Sequence, residues 1–227
     1  MSDHFEIIDV IKELPVETLD LKKDLKWLYN PSAKKVELVD VPPFNFVMVD
    51  GAIEPDMAPG TSPGFQEAMQ ALYGAAYTLK FMARLRKENP VDYPVMAMEG
   101  LWWVEDGQFD IRKPGNWKYT VMILQPDLVT TEMFAEALAQ LRKKKPGPGI
   151  ERLRLERFHE GLCIQTMHIG PYLEEPATLA RMEAWAEENG YSLAHNHHEI
   201  YLGNPLRADP AKLKTILRHP VTRQAAE

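Results

Sequence analysis

The sequence predicts an α+β protein of two similar modules related by a pseudo-two-fold axis, with antiparallel sheets and with helices packed on one side of them. Residues 36–51 and 155–170 share one layout, in which an extended run, a turn and a second extended run end in glycine. A helical pattern then follows in both halves, and after each helix comes a strand that carries a glutamate, Glu99 or Glu199. We interpret this recurrence as an internal duplication.

The first module is predicted over about residues 31–145, behind an N-terminal arm of residues 1–30 that is partly helical. Its main helix begins at Ser62-Pro63, an N-cap residue followed by proline at the first helical position, and ends near Asn89-Pro90. Apolar residues recur along it at helical spacing, at Phe65, Met69, Leu72, Ala76 and Leu79. Strands and a second helix complete the module, at about residues 36–41, 44–49, 93–104, 117–124 and 130–144.

The second module is predicted over about residues 150–221, after the linker Pro146-Gly147-Pro148-Gly149. Its helix runs over about residues 175–189, and Gly190 caps it. A strand over about residues 198–202 stops at Gly203-Asn204-Pro205. A last helix is predicted from Asp209-Pro210 to about Arg218, with Val221 closing a sheet edge.

Composition narrows the possible classes of protein. The net charge of -7 and the pI near 5.6 argue against nucleic acid as the main partner, because phosphate binding needs a basic surface. The single cysteine, Cys163, excludes an intramolecular disulfide framework. The sequence shows neither a signal-peptide pattern nor an apolar run long enough to span a membrane, so we expect a cytoplasmic protein without a membrane partner. Its oligomeric state is open.

The stretch from His195 to Pro205 contains the most distinctive polar residues. Because side chains alternate along a strand, Glu199 and Tyr201 share one face, while His198, Ile200 and Leu202 share the other and point inward. One interpretation makes the first face the solvated outside of an antiparallel sheet. The other makes it a functional face, and the second glutamate strand in the first module favours this.

Two modules packed side by side predict a cleft at their interface, a common place for small-molecule sites. Glu99 and Glu199 would approach it from opposite sides. We expect its walls to be aromatic, which suits flat or cationic ligands through stacking and cation–π attraction of roughly 0.5–2 kcal/mol each. The candidate wall residues are Trp102, Trp103, Tyr201 and Tyr77.

Further candidates are histidines close to this strand and a turn. His168 and Tyr172 lie at a strand-to-helix turn that could open onto the cleft, although His168 could instead only bond the turn backbone. His195, His197 and Glu199 have ligand types that bind zinc, but no further ligand is evident, so we expect no metal. The sequence lacks a phosphate-binding glycine loop and a dinucleotide fingerprint, so we expect no cofactor.

Several motifs carry a resemblance to a known family. HEIYLGNP at residues 198–205, DPAKLKTILR at 209–218, MHIGPY at 167–172 and EGLWW at 99–103 resemble the GyrI-like small-molecule-binding proteins, from about residue 31 to 221. The chain is similar to stand-alone members with no DNA-binding domain. The resemblance implies two strand-helix-strand-strand (SHS2) modules around a central cleft, with Glu199 at the position of the glutamate that meets cationic drugs.

The resemblance also implies candidate activities. Some stand-alone members are described as hydrolases that open the cyclopropane of cyclopropyl-pyrroloindole toxins. For this chain that implies Glu199 as general base on water, with Tyr201 or Glu99 polarising the leaving carbonyl. A binding module that sequesters drugs without turnover needs the same cleft, whereas a protein-interaction role such as gyrase inhibition needs an exposed contact surface.

Overall fold

The computed structural model describes residues 15–107, 109–113, 116–144, 146–194, 197–205 and 207–224. Residues 1–14 of the predicted N-terminal arm lie outside the described residues. His195, a candidate zinc ligand, lies outside them as well. In chain order the elements are β1 Glu17–Thr18, α1 Leu21–Asp24, α2 Lys26–Tyr29, β2 Glu37–Val41, β3 Phe44–Ala52, α3 Pro63–Arg84, β4 Val91–Asp92, β5 Met98–Trp103, β6 Lys118–Gln125, α4 Thr131–Lys144, α5 Pro148–Glu151, β7 Arg154–Phe158, β8 Gly161–Ile169, α6 Glu175–Glu188, β9 Tyr191–Leu193, β10 His197–Tyr201 and β11 Lys214–Arg223.

One large antiparallel sheet organises the molecule, and its main helices α3 and α6 are packed on one side of it as predicted. The short helix α2 lies on the other side. Its strand order is β2-β8-β11-β10-β5-β6-β3-β7, and β9 pairs with β11. The order β8-β11-β10 on one side of the β10–β5 contact corresponds, element for element, to β3-β6-β5 on the other. This arrangement is the one that a duplicated module would give, and the duplication itself stays a prediction.

The outermost strands cross between the two halves. β2 precedes β3 in the chain but pairs with β8, and β7 precedes β8 but pairs with β3. Each half therefore supplies the edge strand of the other half.

The main helix α3 forms for the reasons that its sequence suggests. Ser62 accepts a hydrogen bond at Oγ from the backbone N–H of Phe65 at 3.1 Å, and Pro63 occupies the first turn. Alanines and leucines on its inner face are fully buried against the sheet. The helix ends at Arg84, earlier than predicted. Among the described residues, no helix is both long and apolar enough to cross a membrane.

The predicted last helix is wrong. Residues Pro210–Lys212 form a short 3-10 turn, and β11 then runs through the middle of the sheet between β8 and β10. Leu213, Ile216 and Leu217 have helical spacing, but the two flanking strands satisfy the backbone of this segment from both sides and so override it. Val221 pairs with Leu193 of β9, at the end of this strand.

The predicted strand over residues 93–104 is also shorter in the structure. Only Met98–Trp103 pairs in the large sheet, as β5. The two-residue β4 pairs in parallel with β1, which attaches the N-terminal segment to the body of the protein.

Candidate functional site

Strand β10 carries buried polar side chains on both of its faces. His197, Glu199 and Tyr201 lie on the face covered by the helices, and His198 lies on the opposite face, as alternation along a strand requires. We call Glu175, His197 and Glu199 the carboxylate cluster. We call Tyr29, Glu99, Glu160, His198 and Arg218 the arginine network.

The carboxylate cluster joins the first residue of α6 to β10. His197 Nε2 lies 2.7 Å from Glu199 Oε1 and 3.7 Å from Glu175 Oε2. The three residues are 0 to 4% exposed. His197 Nδ1 lies 3.1 Å from Nε2 of His219 on β11, so both imidazole nitrogens have partners.

The electrostatics of the cluster favour a bound proton on His197. Burial alone would lower the pKa of His197, but the nearby carboxyl group of Glu175 and the bonded carboxylate of Glu199 outweigh it and raise that pKa to about 9. Burial and the charges of His197 and His198 lower the pKa of His219 to about 3. His219 is therefore neutral and can accept a hydrogen bond from His197.

Glu175 behaves differently from an ordinary surface glutamate. Burial, and then the charge of Glu199, raise its pKa to about 8, against the opposing effect of His197. Neither of its oxygens has a hydrogen-bond partner among the described residues. At neutral pH the raised pKa values of His197 and Glu175 therefore favour one proton on each of these two side chains.

Aromatic rings enclose the cluster. The Trp102 indole N–H donates to the Tyr201 hydroxyl at 2.8 Å, and the Tyr172 ring meets the Tyr201 ring edge-on at 5.8 Å. The ring of Phe109 stacks on His197, with centroids 5.2 Å apart and planes inclined by 19°. Glu199 is 4% exposed, so the predicted cleft is not open to solvent at this residue.

The phenols beside the cluster are held in their protonated form. Burial and the charges of Glu199 and Glu175 raise the pKa of Tyr172 to about 12. Burial, the charge of Glu199 and a hydrogen bond with it raise the pKa of Tyr201 well above its usual value. Tyr201 thus keeps its hydroxyl proton and can act as a hydrogen-bond donor.

The cluster is compact enough for a single ion, since its ligand atoms lie within 4.8 Å of one another. However, the contacts of His197 need no metal ion. A protonated His197 donates one hydrogen bond from Nε2 to Glu199 and another from Nδ1 to His219. The geometry therefore fits a proton-sharing cluster, and the expectation of no metal stays a prediction.

The arginine network lies on the opposite face of the sheet and contains Glu99. Glu99 is the pairing partner of Ile200, while Gly100 is the partner of Glu199. Tyr29 donates a hydrogen bond to Glu99, and His198 Nε2 lies 3.1 Å from its other carboxylate oxygen. The expectation that both glutamates share one cleft is therefore wrong, because the register of β5 against β10 places them on opposite faces.

Arg218 is the centre of this network. Its guanidinium donates to Gln165 Oε1 at 3.1 Å, to Glu160 Oε2 at 3.3 Å and to the Leu28 carbonyl at 3.1 Å. Burial would raise the pKa of Glu160, but His198 and Arg218 outweigh it and lower that pKa to about 2. Through Leu28 and Tyr29, the N-terminal segment is bonded to the same network.

The structure brings Glu199, Tyr201, Trp102 and Tyr172 together, and it separates the other predicted site residues. Trp103 alternates with Trp102 and lies on the opposite face. Tyr77 is 49% exposed and lines a cavity of about 730 Å³ between α3 and α4. His168 is bonded to Thr178 Oγ1 at 2.9 Å and to the Pro171 carbonyl at 3.1 Å, which is the turn-bonding alternative.

Three residues at the site were not predicted from the sequence: Glu175, Phe109 and His219. Glu175 precedes a proline at a helix start, where an acidic residue is common because it complements the helix dipole. Phe109 lies in a turn-rich segment, and His219 was assigned to no element. Only their approach to β10 in the folded chain distinguishes them from ordinary residues of these types.

The fold is that of an α+β domain with a buried cluster of polar and aromatic side chains on its central strand β10. The chain belongs to the GyrI-like family, since the model of the GyrI-like small molecule binding domain matches residues 34–221. No functionally curated protein matched the sequence.

Solved structures show the same relationship. An uncharacterized conserved protein from Listeria innocua is 42% identical with a TM-score of 0.80, over 90% of this chain and 100% of that one. A hydrolase from Listeria innocua is 40% identical with a TM-score of 0.79, over 91% of this chain and 100% of that one. The EcmrR C-terminal domain shares the fold alone. It is 16% identical with a TM-score of 0.50, over 83% of this chain and 98% of that one.

Proposed function

We propose that the protein binds flat aromatic or cationic small molecules at the carboxylate cluster and hydrolyses electrophilic ones, such as cyclopropanoid toxins. The observation that carries this proposal is the pairing of a buried carboxylate, Glu199, with a set of aromatic rings. The similarity to a Listeria hydrolase along nearly the whole chain supports catalysis. Detoxification is the role that such an activity would serve.

The ring of Phe109 supports a stacked ligand. It lies nearly parallel to the His197 imidazole, so this surface of the imidazole already accommodates a planar group. A flat ligand would take this place and move the phenyl ring aside. Trp102 and Tyr172 would then bound the ligand on its other sides.

The chemistry assigns Glu199 and Tyr201 separate roles. Glu199 accepts a proton from water while the water oxygen bonds to the strained ring carbon, and the carbon–carbon bond of the cyclopropane breaks. Its electron pair passes through the conjugated ring system to the carbonyl oxygen. Tyr201, protonated and bonded to Trp102, donates a hydrogen bond to that oxygen as negative charge develops there. Glu99, on the other face of the sheet, has no part in this step.

One contact favours binding without turnover as the second candidate. Glu199 is already bonded to His197 at 2.7 Å, so this hydrogen bond must be broken or shared before Glu199 can accept a proton from water. In that case Glu199 acts as a counter-ion that holds cationic drugs.

Incubation with a cyclopropyl-pyrroloindole, followed by mass analysis for a water adduct, tests the proposal. We expect turnover by the wild type and a fall of about 10²–10⁴-fold for Glu199→Gln, which keeps the shape and removes the base. Glu174→Gln, at an exposed glutamate beside α6, is the matched control and should be unchanged. If the wild type forms no water adduct, and Glu199→Gln weakens the binding of cationic ligands but not of neutral ones, the function is sequestration. Equal turnover by the wild type and Glu199→Gln would refute the assignment of Glu199 as the base.

A further inference from the structure

The charges of the carboxylate cluster do not balance if both carboxyl groups are ionised. Two carboxyl groups face one imidazole, and no lysine or arginine forms an ion pair with them in the described part of the chain. A protonated His197 balances one negative charge. A second buried carboxylate would stay uncompensated, which is strongly unfavourable in a desolvated site.

The described groups that surround Glu175 offer no other compensation. Besides Phe109 and Trp102, which carry no charge, the surrounding titratable groups are His197, Glu199 and Tyr201 of β10, His219 of β11 and Tyr172 of the turn before α6. The two tyrosines and His219 are neutral for the reasons given above. His197 is bonded to Glu199 at 2.7 Å but lies 3.7 Å from Glu175, so the imidazolium compensates the charge of Glu199. Among the described residues, the uncompensated carboxyl group is therefore that of Glu175, and a proton on it removes the second charge.

We propose that an organic cation binds the cluster in exchange for one proton, which Glu175 releases to solvent as the ligand's charge takes its place. The inference rests on the proposed function, since the ligand must reach the cluster. The total charge of the site is then the same before and after binding. Glu175 thus selects for positive charge, because a neutral ligand of the same shape releases no proton.

The exchange predicts a specific pH dependence. Because the cation competes with a proton, its affinity should rise about tenfold per pH unit between about pH 6 and pH 7. The rise should level off above about pH 8, where Glu175 is already ionised. A neutral ligand should bind with nearly constant affinity over the same range.

Titration calorimetry with N-methylquinolinium and its neutral isostere 1-methylnaphthalene tests the exchange. Measurement in buffers of different ionisation enthalpy counts the protons released per ligand. We expect about one proton for the cation at pH 7 and about none for the isostere. Glu175→Gln should still bind the cation through Glu199, but it should release no proton and lose the pH dependence, whereas Glu174→Gln should behave as the wild type.

The outcomes separate this inference from the proposed function. Binding of the cation without proton release, or unchanged release from Glu175→Gln, would overturn the exchange and leave ligand binding standing. Failure of both probes to bind at any pH between about 5 and 9 would overturn the exchange together with ligand binding at this cluster.

Discussion

The replacement of Arg218 by methionine tests how far the arginine network stabilises the fold. Arg218 is 2% exposed, and its guanidinium makes three hydrogen bonds, of which the one to Glu160 joins opposite charges. The substitution leaves Glu160 buried with His198 as its remaining charged partner. Removal of one partner from a buried ion pair costs about 3–5 kcal/mol of unfolding free energy, and methionine fills much of the volume, so we expect a loss in this range.

Urea denaturation of Arg218→Met measures this loss as a lower midpoint at constant slope. The control is Arg142→Met, because Arg142 forms an equally well-made pair with Glu151 at 2.6 Å on the exposed surface and should leave the midpoint nearly unchanged. Combining Arg218→Met with Glu160→Leu should restore part of the stability, since the uncompensated carboxylate is then gone. Equal midpoints for the Arg218 and Arg142 variants would refute the reasoning.

Two further predictions concern protons and metals. The free energy of unfolding should fall as the pH rises from about 6.5 to about 9. The pKa of His197 is raised to about 9 and that of His198 to about 8, so in this pH range the folded state binds more protons than the unfolded chain. The free energy of unfolding should also fall as the pH drops from about 4.5 towards 2, where Glu160 becomes protonated. Urea denaturation between about pH 2 and pH 9 checks both trends, and a stability that does not change with pH would contradict them. Elemental analysis should find no stoichiometric metal in the purified protein, and zinc that disappears in His197→Gln would contradict this.

Local pattern was enough to predict part of the fold and of the site. The alternation along His197–Tyr201 correctly places Glu199 and Tyr201 on one face, and Ser62-Pro63 correctly predicts where α3 begins. His198 was expected to point inward, and it does, although it meets Glu160 and Glu99 rather than an apolar core. Alternation describes the direction of a side chain, but not what lies in that direction.

The remaining features depend on contacts between distant segments. Whether Glu99 or Gly100 lies opposite Glu199 is set by the register of β5 on β10, and a shift of one residue would reverse the face of each side chain in the strand. Glu175 enters the site because α6 packs on β8 and β9 with its first residue close to His197 of β10. The segment that forms β11 looks helical by itself, and only its two neighbouring strands make it extended.

The crossing of the outer strands has a consequence for how the chain can be divided. Residues 146–149 look like the natural place for a cut, since they form the clearest linker in the sequence. A break there would leave one fragment with β2 unpaired and the outer edge of β3 bare, and the other with β7 unpaired and the edge of β8 bare. Each fragment would then carry the strand that the other lacks, which is the geometry of a split protein whose pieces complement each other. The two halves are therefore interlocked parts of one folding unit, although their sequence reads as a tandem repeat.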